Sequence, residues 1–160
     1  VTSFRATSEG VEVRIGRREL AVLDALPSLL ATISAEDDDD PAVGRLFPAA
    51  YADDAAELEF RRFAGSEIQR ARQEDNDVFS DVLGRLDDGS TVLSLSETEA
   101  CMRSVGAARI AIAARHGLFD QDAYDTSVET PHGTIVAFLG LLQEELVAAL
   151  GDAEEVGDGR

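Results

Sequence analysis

The sequence contains no lysine and no tryptophan, and only one cysteine, one methionine and two histidines. Without lysine there is no Schiff-base chemistry, no lysine nucleophile and no P-loop lysine. One cysteine excludes an internal disulfide, and one cysteine with two histidines is too little for a zinc site built on those side chains. Neither His116 nor His132 has a metal-ligand spacing of the His-x-x-x-His kind, and no Gly-x-Ser-x-Gly elbow occurs. The expectation is therefore a non-enzymatic protein with no catalytic residues, no metal and no cofactor.

Bases are scarce beside acids. Fourteen arginines face 32 carboxylates, for a net charge of −18 over 160 residues. Nucleic-acid binding draws on Lys and Arg neutralising phosphates, so direct DNA contact is disfavoured and any regulatory action is expected to pass through a protein partner. Anionic membrane surfaces are disfavoured for the same reason. Arg5 and Arg14 interrupt any leader-like apolar run at the amino end, and the uncharged stretch 130–143 is too short to span a bilayer. A cytoplasmic protein is expected, in keeping with an unpaired cysteine.

Length and a hydrophobic fraction of 44% fit a single globular domain over residues 1–150. Phe4 and Ala6, then Val11, Val13 and Ile15, alternate around Ser8-Glu9-Gly10, which predicts a β-hairpin. Leu20, Leu23, Leu26, Leu30 and Ile33 have helical spacing, with Pro27 imposing a kink or two short helices. The five carboxylates Glu36 to Asp40 predict a solvated loop; they lack the Asp-x-Asp-x-Asp-Gly spacing of a calcium loop.

From Asp53 the helical pattern resumes through Ala56, Phe60 and Phe63, and Gly65-Ser66 is expected to break it. The following helix reaches about Leu86, with Asp75 and Asn76 at the margin of its apolar stripe. Thr91 to Leu95 reads as a strand that joins the hairpin. Ser96 with Glu99 reads as a capping box that opens a central helix ending at Gly117, with Cys101, Val105, Ala108 and Ile112 inward. Thr130-Pro131 starts a last helix expected to stop at Gly151, and residues 151–160, with four acids and three glycines, are expected to form a disordered tail.

Three features are candidates for function. Arg109 lies among small or apolar neighbours, Gly106-Ala107-Ala108 and Ile110-Ala111-Ile112. The expectation is a buried guanidinium bridged to Glu144 or Glu145; the alternative is an arginine that holds a small anion, with Arg62 or Arg115 assisting. Arg61, Arg62, Arg70 and Arg72 form the main basic concentration, either a partner-binding patch or a set paired to local acids. Cys101 invites a redox reading, but its place in an apolar stripe favours a core thiol.

The segment Pro48-Ala-Ala-Tyr-Ala-Asp-Asp-Ala-Ala-Glu-Leu-Glu-Phe-Arg-Arg62, the central helix from Glu99 to Gly117 with Arg109 and Arg115, and Leu142-Gln-Glu-Glu-Leu-Val147 carry a resemblance. Together with the hairpin and leucine-rich helix, they resemble an actinobacterial family filed as a domain of unknown function that includes the oxidative-stress regulator AosR. Where that family usually has Trp-Leu-Arg this chain has Cys101-Met102-Arg103, and an Asn-Asp pair of the family is Gly106-Ala107 here. A lone cysteine also cannot support an intramolecular disulfide switch.

The resemblance implies a cytoplasmic transcriptional regulator acting through a partner such as a sigma factor, or an accessory of regulated Clp proteolysis that works with a protease adaptor. No exposed heptad seam marks a homodimer, although a helical dimer is compatible with the pattern. The fold expected is α+β and mainly α-helical: four or five helices around a central helix, with a small antiparallel sheet made of the hairpin and one strand.

Overall fold

The computed structural model describes residues 2–120 and 129–159. Strands β1 (Ser3–Thr7) and β2 (Gly10–Arg14) form the hairpin, and β3 (Ser90–Leu93) pairs antiparallel to β2, giving the order β1-β2-β3. Gly10 is required at that seam. Its φ is +137°, and a Cβ there would lie 2.0 Å from the Leu93 carbonyl oxygen. The helices are α1 (Arg17–Leu23), α2 (Leu26–Ala31), α3 (Pro41–Leu46), α4 (Asp54–Leu86), α5 (Leu95–Arg115) and α6 (Pro131–Asp158). The fold is mainly helical α+β, as its patterning predicts, and the stretch containing Pro27 does divide into two short helices.

α5 is the centre. Its stripe of Cys101, Val105, Ala108 and Ile112 is buried, and so are Ala100, Ser104, Gly106, Ala107, Ala111 and Ala113. Small residues on several sides let α6, α4 and α3 all lie against it. α6 packs antiparallel: Gln143 covers Gly106 and the Arg109 guanidinium covers Gly140. Seven α6 residues, from Gly133 to Ala153, are buried. By length and composition α6 is apolar enough to cross a bilayer. A second apolar cluster, with Ile33, Val43, Leu46 and Phe47 at its heart, packs on Ala107 and Ala111.

Several expectations need correction. α4 runs unbroken through Gly65-Ser66. A helix-interior glycine costs only about 1 kcal/mol relative to alanine, and the pairs Arg61–Glu57 and Arg70–Glu74, both at i,i+4, support the turns on either side. Phe63, expected on an inner stripe, is 77% exposed. The capping box is Ser94 with Glu97, one frame earlier than expected: Ser94 Oγ accepts from the Glu97 amide and Glu97 accepts from the Ser94 amide. Both frames satisfy Ser-x-x-Glu, and β3, which ends with the buried Leu93, selects the first. α6 continues past Gly151 to Asp158, because Ala153 still finds a buried place; residues 151–158, expected as a disordered tail, are helix.

The acidic run is not wholly solvated. Asp40 caps α3 by accepting from the Ala42 amide at 2.9 Å, and it receives Arg115 Nη2 at 2.6 Å and Nε at 3.1 Å. This bond, with the Arg115 charge beside it, holds the Asp40 carboxyl below the ordinary carboxylate value despite partial burial. It fastens the 36–40 loop and α3 to the far end of α5.

Asp40→Ala is expected to lose about 2 kcal/mol of stability, about half from the cap and half from the ion pair. Asp40→Asn retains a capping oxygen and should lose about half as much. Urea denaturation of the two variants beside the parent checks the ordering.

Candidate functional site

No residue of α4 from 54 to 75 is buried; the buried set begins at Asn76. The amino-terminal half of this helix is held at its edges. Asp53 caps it, and Glu57 accepts from the amides of Ala50 and Tyr51 at 2.8 and 2.9 Å, strapping the preceding segment to the first turns. The Tyr51 ring meets Phe60 edge-on at 5.7 Å. Further along, Gln69 accepts from the Ala35 amide. Leu58 (56% exposed) and Phe63 remain uncovered. A hollow of about 1090 Å³ lies between this half-helix and residues 34–50, with Leu58, Phe60 and Ile68 on the α4 wall.

The arginines at 61–72 do not form a patch. Arg61 pairs with Asp38 at 2.8 Å and Glu57 at 3.2 Å, which raises its pKa. Arg70 lies within 3.6–3.8 Å of Glu67 and Glu74. Arg62 is exposed and makes no ion pair among the described residues. Arg72 turns inward. Its Nη2 donates to the Leu46 carbonyl at 2.9 Å, and its guanidinium sits 5.2 Å from the centre of the Phe47 ring.

Arg72 lines a second hollow, a cleft of about 710 Å³ between the main core and the smaller cluster. Ile33, Phe47, Met102, Ala107 and Ile110 supply its apolar walls. The acids on its rim are engaged: Asp75 receives Arg103 Nε and Nη2, each at 2.8 Å, and Glu74 faces Arg70. Asn76, expected at the margin of the apolar stripe, is buried in the cleft wall, and its amide donates to the Pro27 carbonyl at 3.0 Å.

The expected buried bridge from Arg109 to Glu144 or Glu145 does not form. All three residues are exposed, and Arg109 makes no ion pair among the described residues. Its small neighbours belong to the buried face of α5, whereas Arg109 stands at the margin and lays its guanidinium over Gly140, where the missing side chain leaves room. It lines neither hollow.

Cys101 is buried, and desolvation, followed by the charge of Glu97, pushes its pKa up to about 12. His116 and His132, far apart in the chain, stack at 3.6 Å between ring centres where α5 ends and α6 begins. Burial, then the neighbouring His132 and Arg115, hold the His116 pKa below 6.5. Neither spacing nor local composition announces this pair. Among the described residues, no three His, Cys, Asp or Glu side chains are placed to share a metal ion.

The family described as a domain of unknown function, DUF2017, matches residues 1–150, and the chain belongs to it. No curated protein and no solved structure matches the chain.

Two expectations follow from these geometries. With a pKa of about 12, the Cys101 thiolate fraction at pH 8 is on the order of 10⁻⁴, so native labelling by a thiol reagent should run on the order of 10³ slower than in the unfolded chain. The neutral form of His116 is the favoured native form. Its stabilising contribution is complete above pH 6.5 and is lost as pH falls through the lowered native value. His116→Asn should therefore lose less stability than the parent as the pH is lowered below 6.5, and NMR titration of His132→Ala should show the His116 pKa raised.

Proposed function

We propose that this DUF2017 member is a non-enzymatic regulatory module that acts through a protein partner docked on the amino-terminal half of α4. The observation that carries this reading is the half-helix itself. It has no buried residue over 54–75 and leaves Leu58 and Phe63 in solvent. An isolated helix is marginal in water, and most helical stability in proteins comes from a packed face. Here that face lacks a cover. The hollow beside Leu58 and Ile68 offers a place for an apolar anchor, and a net charge of −18 favours a partner segment that flanks its anchor with basic residues.

The likeness to the family of AosR favours a transcription component, such as a sigma factor, as that partner, and a cytoplasmic actinobacterial setting. A protease adaptor is the second reading, favoured by the same family resemblance. The redox side of that resemblance is not carried over: a desolvated thiol of pKa about 12 is a poor sensor. Any oxidative-stress role would then reach this chain through its partner.

Leu58→Asp and Phe63→Asp replace exposed side chains, so the unfolding midpoint should move little. Capture from the native cell should recover a transcription component with the parent protein and lose it with either variant. Recovery of a protease adaptor instead moves the second reading ahead. A parent that sediments as a dimer, with monomeric variants, would make the half-helix a self-interface and overturn the proposal. Tight duplex-DNA binding at about 0.15 M salt would overturn it as well.

A further inference from the structure

Three buried side-chain polar atoms have no hydrogen-bond partner among the described residues: Arg72 Nε, Asn76 Oδ1 and Ser104 Oγ. All three residues line the 710 Å³ cleft. Asn76 and Ser104 are only 6% and 3% exposed, so each unpaired atom is withdrawn from bulk water as well as from the protein. Leaving a buried polar group unsatisfied costs about 1–3 kcal/mol, and native folds seldom keep several together without a reason.

Charge sharpens the point. The chain has 32 acids for 14 arginines, yet Arg72 has no carboxylate within ion-pair distance. The acids of the rim are turned to Arg103 and Arg70. Burial pushes the Arg72 pKa down, the opposite of the shift in the paired Arg61, Arg103 and Arg115. A half-buried guanidinium whose Nε is unpartnered, which has only the longer-range charge of Asp75 as counterweight and lies over the Phe47 ring, can take an anion supplied from outside.

We infer that the cleft binds a small monocarboxylate with an apolar body and an N–H or O–H donor, its carboxylate on Arg72 and its donor toward Asn76 Oδ1. One cation matches one negative charge; a phosphate dianion would leave an excess charge inside an already acidic protein. A carboxylate can accept from the free Nε and from Arg72 nitrogens that Leu46 leaves available. Ser104 Oγ donates to or accepts from the ligand, and Met102, Phe47 and Ile110 hold its apolar part. The cleft volume lies within the range of small-molecule sites, about 300–1,000 Å³. This cleft adjoins the hollow of the docking face and shares Leu46, Phe47 and Ile68 with it, but its polar groups are Arg72, Asn76 and Ser104, whereas the docking reading rests on Leu58 and Phe63.

The test uses the full chain and two probes, N-acetylphenylalanine and its amide, which differ in the carboxylate. In two-dimensional amide NMR the acid should shift resonances around Asn76, Ser104 and Ile110, and the amide should bind at least tenfold more weakly. Arg72→Met loses the bond to the Leu46 carbonyl, so it should lower the unfolding midpoint modestly, and in the still-folded protein it should weaken the acid at least tenfold. Ser104→Ala, a smaller change, should weaken the acid severalfold in a folded protein. Phe63→Asp should bind as the parent does, which separates failure of the cleft from failure of the docking face. Equal binding of acid and amide, unaltered affinity in Arg72→Met, or no shift in the cleft at probe concentrations on the order of 10 mM, which would nearly saturate a site with a Kd of about 1 mM, would each overturn the inference.

Discussion

The whole arrangement depends on one helix being narrow enough to be surrounded. α5 buries Gly106, Ala107, Ala108, Ala111 and Ala113 as well as its larger stripe residues, so its backbone becomes the surface on which α6, α4 and α3 rest. A Cβ at Gly106 would lie 2.7 Å from Gln143 Nε2, so the end of the Gln143 side chain would have to swing aside. Small side chains bury little apolar area by themselves. Their contribution is to let Leu139, Leu142 and Leu146 of α6 and Phe79, Val82 and Leu86 of α4 join one core. The bond between Arg115 and Asp40 then closes the far end, bringing the smaller cluster onto Ala107 and Ala111. The cleft is the space left between the two clusters.

Local chemistry was legible where it acts over a few residues. The hairpin follows from alternation around Ser8-Glu9-Gly10, the division at Pro27 from the ring and missing amide of proline, and the start of α6 from Thr130-Pro131. The buried stripe of α5 was legible for the same reason: a 3.6-residue period needs no knowledge of the partner helix. Where two frames satisfied one motif, as with Ser94 and Ser96, only the end of β3 decided between them.

Pairings across long stretches of chain were not legible. Arg115 meets Asp40 over 75 positions and Arg103 meets Asp75 over 28, and nothing local picks those carboxylates out of 32. Arg109 misled because small neighbours in sequence fix what can pack against the helix, not which side a given residue faces. Of the two readings of the cluster 61–72, pairing to local acids is the one that Arg61 and Arg70 follow. Arg61 and Arg72 are three helical turns apart, so they share a face toward residues 38–47, whereas Arg70 looks away. One face of that helix consumes its arginines internally, and a basic patch cannot form there.

The same geometry separates the uses of α4 along its length. Beyond Asn76 its side chains fill the core and fix its position. Around Ile68 and Arg72 it forms a wall of the cleft, and before Gly65 it buries no residue and leaves Leu58 and Phe63 in water. At about 1.5 Å per residue, a helix of 33 residues is roughly 50 Å long, against roughly 31 Å for the 21 residues of α5. The central helix is too short to cover its neighbour. The uncovered portion is a consequence of unequal lengths written into the sequence, and the capping Asp53, the Glu57 strap and the Arg61–Asp38 pair keep it helical where packing does not.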